Sequence, residues 1–428
     1  MNDVDLLAAD VSAVPLKSRD AGVSMSDIPK LSRRLDRLQQ IWKEEATVPD
    51  GIKRAPVFNA TQLAELCGKT ADQMGRLLDK AAERGLPSGI DDSAAEVKAG
   101  GRGRSRVFSL ADVQAWIRAT DTWKKRPSDM PGCTVTICNF KGGVGKTVIA
   151  GALAQGLSLR GYKVLCIDFD PQGSLTSLFG VEPSTVEEEQ TVVPLMYPKT
   201  TDMARDTLQD SIRATYWSGV DLIPGNHSLF NGEFYLPSRQ MKASSPKQGG
   251  EPGFLFWEVL NKALDAGIRE EYDYIIIDTP PALSYMTLVT FWAADALLLP
   301  LPPEGIDFAS SAQFWKMLGE MAEETSGYEV NEKYFRWIRV VPSKVDNTKL
   351  HTKELLSMIK SGYRDLMAST EIPETAAVRV GGARLESVYD ISKYIGDRRT
   401  LLRAREAYDK LVDEVDFLTH KNVWSART

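Results

Sequence analysis

The sequence of 428 residues predicts an α/β fold in which a doubly wound, mostly parallel sheet follows a small N-terminal helical domain. Short apolar, β-prone runs that alternate with helical segments predict the sheet, because parallel strands are buried on both faces. Several of these runs end in an aspartate or in a glycine-rich loop, which is typical of the ligand-binding edge of such a sheet. A helix, glycine turn and helix in residues 61–77 predict the N-terminal domain.

Composition narrows the class of protein. Apolar residues make up 43% of the chain and charged residues 26%, which excludes wholesale disorder. Four cysteines exclude a disulfide scaffold and indicate a reducing compartment. The N-terminus lacks the basic and apolar regions of a secretory signal. No uncharged stretch reaches the roughly 18–20 residues of a membrane-spanning helix, so we expect a cytoplasmic protein without a membrane partner.

Charge is distributed unevenly along the chain. Residues 1–131 hold 21 basic and 19 acidic residues, whereas the remainder holds 31 basic and 39 acidic ones. The overall net charge of −6 therefore does not exclude binding of nucleic acid by a local basic patch in the first part.

The first 47 residues predict a tail and a helix. Residues 1–26 show no sustained periodicity and are expected to be flexible. Residues 27–47 predict a helix with one apolar stripe at three- and four-residue steps, and such a stripe has to be buried. The helix either docks onto its own domain or pairs with the same helix of a second chain, and the sequence leaves both open.

Residues 48–123 are expected to form a winged helix-turn-helix that binds DNA. Gly68 permits the tight turn between two short helices, although Lys69 stands where such motifs usually place an apolar residue. A basic, glycine-rich stretch at 98–106 leads into a short strand and a helix over 110–118, the order expected of a wing. A merely solvated loop is the alternative. The candidate DNA-contact residues are Thr70, Gln73, Arg76, Arg102, Arg104 and Arg106.

A charged, proline-broken segment, residues 124–131, is expected to link this domain to a second one over 132–428. There an apolar strand runs into residues 141–147, a glycine-rich loop that ends in Lys-Thr, and an apolar helix follows. This is the context of a P-loop, whose backbone N–H groups and helix N-terminus cradle phosphates. Lys146 is expected to reach the β- and γ-phosphates and Thr147 to bind Mg²⁺. The candidate nucleotide-binding residues of the loop are Lys141, Gly142, Gly143, Val144, Gly145, Lys146, Thr147 and Val148.

The loop resembles the deviant Walker A box of the ParA/MinD family, because Lys141 stands where the ordinary P-loop has its first glycine. In that family the extra lysine reaches the nucleotide of a partner subunit. The resemblance therefore implies a P-loop NTPase with ATP and Mg²⁺ as cofactors. It also implies a homodimer that closes around ATP, with Lys141 and Lys146 among the catalytic residues.

Later motifs match the same family. Asp168 and Asp170 lie at a strand end that resembles switch I, which implies that Asp170 positions or activates the attacking water and that Asp168 lies near Mg²⁺. Asp278 ends an apolar strand that resembles Walker B, which implies that it holds Mg²⁺ through water. Ser343 begins a loop expected to border the base, and we take it as a nucleotide contact. That loop resembles a guanine-reading box without its asparagine, so the residues alone leave GTP open.

The N-terminal extension and an insertion at 224–253 resemble the larger partition ATPases of low-copy plasmids and secondary chromosomes, the type Ia ParA proteins. The resemblance implies an ATPase that is weak alone and stimulated by DNA and a ParB-like centromere-binding partner. It also implies a nucleoid-associated protein that binds non-specific DNA and represses its own operon through the N-terminal domain.

A charged C-terminal helix over 397–419 begins with an arginine cluster, which either contacts DNA phosphates or is a solvated face. The further candidate DNA contacts are Arg379, Arg398, Arg399 and Arg403. Two other functions are alternatives to the partition ATPase. A repressor that binds nucleotide with little turnover would have no use for Asp170, and a P-loop ligase of the dethiobiotin synthetase kind would have none for the helix-turn-helix.

Overall fold

The computed structural model describes residues 25, 28–46, 53–91, 106–120, 122–243, 251, 253–325, 333–375, 385–391 and 398–425. The chain divides into two compact units, Met1–Lys53 and Arg54–Thr428. The first unit contains helix α1, Ile28–Ala46, within the helix that the sequence predicts. Apart from residue 25, the predicted tail lies outside the described residues.

Three short helices and a small antiparallel sheet begin the second unit. The helices are α2 Ala60–Leu66, α3 Ala71–Asp79 and α4 Leu110–Arg118. The strands are β1 Phe58–Asn59, β2 Ile90–Asp91 and β3 Arg106–Phe108, in the order β1-β3-β2. Gly68, between α2 and α3, has a φ of +59°, a left-handed conformation that a side chain would strain. The helices and the last strand lie where the sequence predicts them.

Each of these helices begins with a capping box. The residue before the helix accepts a hydrogen bond from the third backbone N–H, and the third side chain accepts one from the cap's own N–H. The three pairs are Asn59 with Gln62, Thr70 with Gln73, and Ser109 with Asp112. Because these bonds satisfy N–H groups that a helix leaves unpaired, they fix where such short helices begin.

A seven-stranded sheet forms the centre of the second unit. Its strands are β4 Cys133–Ile137, β5 Val164–Asp168, β6 Arg213–Ala214, β7 Val220–Ile223, β8 Tyr274–Asp278, β9 Ala296–Leu301 and β10 Trp337–Pro342. They lie in the order β10-β9-β4-β8-β5-β7-β6, and the pairs are parallel except for β6 with β7. The doubly wound, mostly parallel sheet is confirmed. Strands β5 and β8 pair in register, so Asp168 lies opposite Asp278.

The sequence does not predict β6 and β7. Strand β7 is four residues long and carries Asp221 inside an otherwise apolar run, which hides it from a search for continuous hydrophobicity. In the fold, the Asp221 carboxylate accepts a hydrogen bond from the Tyr272 hydroxyl at 2.7 Å. A tertiary contact therefore stabilises the acid, and the sequence pattern does not report that contact.

Helices connect and cover these strands. They are α5 Lys146–Ser158, α6 Ser174–Leu178, α7 Gly232–Ala243, α8 Val259–Ala263, α9 Arg269–Glu271, α10 Tyr285–Ala293, α11 Gly305–Thr325, α12 Leu350–Tyr363 and α13 Arg398–Asn422. Helix α13 extends three residues past the predicted end and packs along α5. Gly156 of α5 permits this approach, because a Cβ there would lie 2.6 Å from Val412. None of the described helices combines the length and apolar character needed to span a membrane.

The N-terminal region of this unit packs directly on the sheet region. Buried side chains of α2, α3 and α4 belong to the same apolar cluster as those of β4 and α5. Gln114 of α4 donates to the Ser158 hydroxyl at the end of α5, at 2.5 Å, and to the Ser218 carbonyl, at 2.6 Å. In the predicted linker, Arg126 donates to Asp273 at 2.9 Å. The two regions therefore share one core.

Candidate nucleotide-binding site

The glycine-rich loop follows β4 at the carboxyl edge of the sheet. Gly143 and Gly145 have φ of +75° and +101°, conformations that a Cβ would strain. The buried Asn139 fixes the entry to the loop, because its amide donates to a carbonyl at the end of β9 at 2.8 Å and its oxygen accepts from the Lys141 N–H at 3.0 Å. Helix α5 begins at Lys146, so the loop lies at a helix N-terminus, where phosphate is favoured.

Ser343 lies against this loop. Its buried hydroxyl donates to the Val144 carbonyl at 2.8 Å. The bond ties the segment after β10 to the backbone of the loop, so Ser343 supports the loop. A contact between Ser343 and a base stays a prediction.

Lys146 is a buried cation inside the loop, with 6% of its surface exposed. Its Nζ donates to the Lys141 carbonyl at 3.1 Å. Burial lowers the pKa of Lys146, and the nearby carboxylates of Asp278 and Asp170 act in the opposite direction. The arrangement places a positive charge, balanced by acids, within a loop shaped for phosphate.

Asp278, the last residue of β8, is fully buried, and neither of its carboxylate oxygens accepts a hydrogen bond of normal geometry from the described residues, although the Thr147 hydroxyl lies close to it. Burial raises the pKa of Asp278 well above its usual range, and the neighbouring Asp168 raises it further, whereas Thr147 and Lys146 act in the opposite direction. A buried carboxylate without a donor is costly. A hard divalent cation would stabilise it, so Asp278 and Thr147 fit a Mg²⁺ site.

Asp168 is equally buried, but protein donors engage its oxygens. Its Oδ1 accepts a hydrogen bond from the backbone N–H of Asp170 at 3.1 Å. Its Oδ2 accepts from the backbone N–H and from the hydroxyl of Thr176, both at 2.8 Å. Burial raises the pKa of Asp168 to about 6, and these hydrogen bonds act in the opposite direction. Asp168 and Asp278, which were both predicted near the metal, thus lie side by side with different sets of contacts.

Asp170 lies partly exposed at the same edge of the sheet. Its Oδ1 accepts a hydrogen bond from the Gln172 N–H at 2.9 Å. Burial raises the pKa of Asp170, and this hydrogen bond and the charge of Lys146 lower it. The residue predicted to position water is therefore close enough to the loop lysine for the two charges to interact.

Lys141 forms an ion pair within its own chain. Its Nζ lies 2.6 Å from Oδ1 of Asp307, in the first turn of α11. The Lys141 side chain is 33% exposed, whereas that of Asp307 is 4% exposed. A cation that leaves this contact would leave a buried carboxylate behind, which is costly. The lysine that the resemblance assigns to a partner's nucleotide is therefore held in cis here.

The predicted DNA contacts of the N-terminal region differ in their surroundings. Thr70 and Gln73 form the capping box of α3, with N–H to oxygen distances of 2.9 and 3.3 Å, so helix capping engages their polar side chains. Arg76 on α3 is exposed, and Arg106 at the start of β3 is partly exposed. Arg102 and Arg104 lie outside the described residues.

The predicted DNA contacts near the C-terminus lie at the start of α13. The described ones are exposed there: Arg398, Arg399 and Arg403. Arg379 lies outside the described residues.

Three residues of the site were not predicted. Thr176 lies within α6, and only the turn of the chain back onto β5 brings it to Asp168. Asp307 is distant from Lys141 in sequence and belongs to none of the sequence motifs. Asn139 lies two residues before the loop, and this position next to the motif is the one signal in the sequence that could have found it.

Comparisons with known proteins agree with this geometry. A family model described as an AAA domain matches residues 132–333. The "Putative replication protein A" of Rhizobium rhizogenes is 31% identical over 296 residues, which cover 69% of this chain and 70% of that protein. Protein SopA of Escherichia coli K12 is 26% identical over 296 residues, 68% of this chain and 71% of SopA. A solved structure of a partition protein, 18% identical, shares the fold with a TM-score of 0.61 over 92% of this chain and 98% of that one.

Proposed function

The chain belongs to the ParA family of partition ATPases, and we propose that it hydrolyses ATP with Mg²⁺ in the partition of plasmid or chromosomal DNA. The observation that carries the proposal is the convergence, at one sheet edge, of the buried Lys146, the buried carboxylate of Asp278 and a second loop lysine, Lys141. A phosphate-binding loop alone would fit many NTPases. Lys141 narrows the choice among classes of P-loop NTPase, because the ParA family uses this second lysine to close a dimer around nucleotide.

The residues of the site divide the chemistry among them. Bound ATP with Mg²⁺ supplies the phosphoryl group that is transferred to water. Lys146 binds the β- and γ-phosphates and stabilises the charge that develops there. Thr147 and Asp278 would hold the metal. Asp170 orients the attacking water, and its interaction with Lys146 favours the ionised carboxylate that this role needs.

ATP-dependent dimerisation follows from the role of Lys141. To reach the nucleotide of a partner subunit, Lys141 has to leave Asp307, so the ion pair within the chain competes with the contact between chains.

Two regions supply the proposed DNA contacts. The capped helices α2 and α3, joined at Gly68 beside a three-stranded sheet, support a winged helix-turn-helix that binds operator DNA and represses the operon. The exposed arginines at the start of α13 support contact with DNA phosphates without sequence preference. A ParB-like partner stimulates hydrolysis, and the protein associates with the nucleoid in the cytoplasm.

The test compares wild type with Lys141→Gln and with the control Lys316→Gln, an exposed lysine further along α11. Light scattering with ATP and Mg²⁺ measures dimerisation, and phosphate release measures turnover with and without DNA and the ParB-like partner. We expect wild type and Lys316→Gln to dimerise and turn over, whereas Lys141→Gln binds ATP as a monomer.

Two results would contradict the proposal in different ways. Normal ATP-dependent dimerisation of Lys141→Gln would remove the reason for assigning Lys141 to a partner's nucleotide. A wild type that binds ATP but shows no turnover with DNA and partner would favour the nucleotide-regulated repressor.

A further inference from the structure

We propose that Asp168 and Thr176 are positioning residues that hold Asp170 in place for ATP hydrolysis, and that Asp168 is not a ligand of the magnesium ion. The inference rests on the proposed ATPase function and deepens it. It assigns a role to Thr176 and separates the roles of two aspartates that end neighbouring strands.

The Asp168 carboxylate accepts hydrogen bonds at both of its oxygens. One oxygen accepts the backbone N–H of Asp170, at 3.1 Å, and thereby fixes the residue that carries the water-orienting carboxylate. The other oxygen accepts two donors from Thr176, each at 2.8 Å, and thereby fixes the start of α6. The buried Asp168 side chain thus forms hydrogen bonds to both ends of the turn between β5 and α6.

Thr176 is also hydrogen-bonded to the segment that follows strand β7. Its hydroxyl accepts a hydrogen bond from the Gly225 N–H, at 2.8 Å, in the segment that follows β7. Gly225 approaches so closely that an added Cβ would lie 2.7 Å from the Asp168 carbonyl oxygen, so only glycine fits there. The Thr176 hydroxyl therefore connects Gly225 to Asp168 inside a buried, fully bonded network.

Asp168 and Asp278 differ in the hydrogen bonds that their carboxylates accept. The two residues face each other in the register of β5 and β8, and both are fully buried. Neither oxygen of Asp278 accepts a hydrogen bond of normal geometry from the described residues, and only the nearby Thr147 hydroxyl and Lys146 charge favour its ionised form, whereas three donors engage Asp168. A metal at Asp168 would compete with three hydrogen bonds for the same two oxygens, while a metal at Asp278 would stabilise a carboxylate that has no well-formed hydrogen bond.

The consequence for hydrolysis is geometric. Asp170 is itself partly exposed, and without the hold of Asp168 its backbone would move relative to the loop. A displacement of about 1 Å in a positioned group can cost about 10²-fold in rate. We therefore expect Thr176→Val, which keeps the shape of the side chain and removes the hydroxyl, to lower kcat by about 10- to 100-fold. Its KM for ATP should change by less than about threefold, because the phosphate loop is untouched.

The variants that test this are Thr176→Val, Thr176→Ser and Asp278→Asn, with Thr290→Val as the matched control. Thr290 is a buried threonine whose hydroxyl bonds only to Thr287 within α10 among the contacts described. We expect Thr176→Ser to restore kcat to within about threefold of wild type, because serine keeps the hydroxyl, and Thr290→Val to leave it unchanged. Thermal melting of each variant shows that it is folded.

Two readouts are independent of turnover. In the nucleotide-free protein, hydrogen exchange of peptides covering residues 168–178 should be faster in Thr176→Val than in wild type, Thr176→Ser and Thr290→Val. In calorimetric titrations of ATP at increasing Mg²⁺, the half-saturating Mg²⁺ concentration should rise at least about tenfold in Asp278→Asn and by less than about twofold in Thr176→Val.

The outcomes separate the inference from the proposed function. A wild type without ATP turnover overturns both. Wild-type turnover with an unchanged kcat in Thr176→Val overturns the inference alone. Recovery of the Thr176→Val rate at high Mg²⁺ also overturns it, because that result would make Asp168 part of the metal site.

Discussion

The sheet-edge site and the N-terminal region present their charges in opposite ways. At the site, the side chains of Lys146, Asp168 and Asp278 are at most 6% exposed. No neighbouring side chain can replace the charge that each of them places there. In the N-terminal region, Arg76 is exposed and Arg106 is partly exposed. Removing a buried charge should change affinity or rate by a large factor, because its loss leaves another buried charge uncompensated. Removing an exposed cation should change DNA affinity less, because it contributes one phosphate contact among several. The expected effects of substitution differ accordingly.

The largest effect is expected from Asp170→Ala. The change leaves Lys146, Thr147 and Asp278 in place, so ATP binding should survive. It removes only the carboxylate that orients water, so hydrolysis in the presence of DNA and partner should fall by about 10²- to 10⁴-fold. Single-turnover phosphate release measures the rate, and calorimetry measures ATP affinity. Hydrolysis at the wild-type rate would show that the switch I assignment is wrong.

The next effect is expected from Lys146→Ala. The alanine removes a buried cation that balances Asp278 and Asp170, and we expect ATP affinity to fall roughly 10²-fold in calorimetric titrations. Operator binding without nucleotide should change little, since Arg76 and Arg106 lie in the other region. Lys316→Ala is the control for loss of a lysine at an exposed position. Unchanged ATP affinity in Lys146→Ala would contradict the phosphate-loop assignment.

The two regions also differ in how far the sequence predicted them. The loop and the strands that end in Asp168 and Asp278 were predicted, because a phosphate loop dictates its residue types and buried parallel strands are continuously apolar. The partners of Asp168 and Lys141 were not, because Thr176 and Asp307 reach them only through the tertiary fold.

In the N-terminal region the sequence predicts the order of the helices but not the capping role of two polar residues. The sequence pattern proposes Thr70 and Gln73 as DNA contacts, and their spacing is also that of a capping box, a signature readable without a structure. Their DNA contact stays a prediction, whereas their part in capping α3 is observed.

A smaller effect is expected from neutralising exposed arginines. Changing Arg76 and Arg106 together to alanine should weaken operator binding and flatten its salt dependence by about 1.8 log units per log unit of salt, if each contacts one phosphate. Filter binding between 50 and 200 mM salt measures the slope, which in Lys316→Ala should equal that of wild type. ATP turnover without DNA should stay unchanged. If the salt dependence of operator binding in the double variant equals that of wild type, neither arginine contacts a phosphate of the operator.

The smallest effect is expected from Thr70→Ala, and it decides between capping and base contact. Because the Thr70 hydroxyl accepts the Gln73 N–H, its loss should destabilise the N-terminal region by about 1 kcal/mol, measured as a shift of the urea unfolding midpoint. Thr70→Ser keeps the acceptor and should behave like wild type. If the side chain only caps α3, the ratio of operator to non-specific affinity stays constant in both variants below the unfolding transition. If it also reads a base, Thr70→Ala lowers that ratio by about 5- to 150-fold, which is about 1–3 kcal/mol, and α3 would then present its N-terminal residues to the operator.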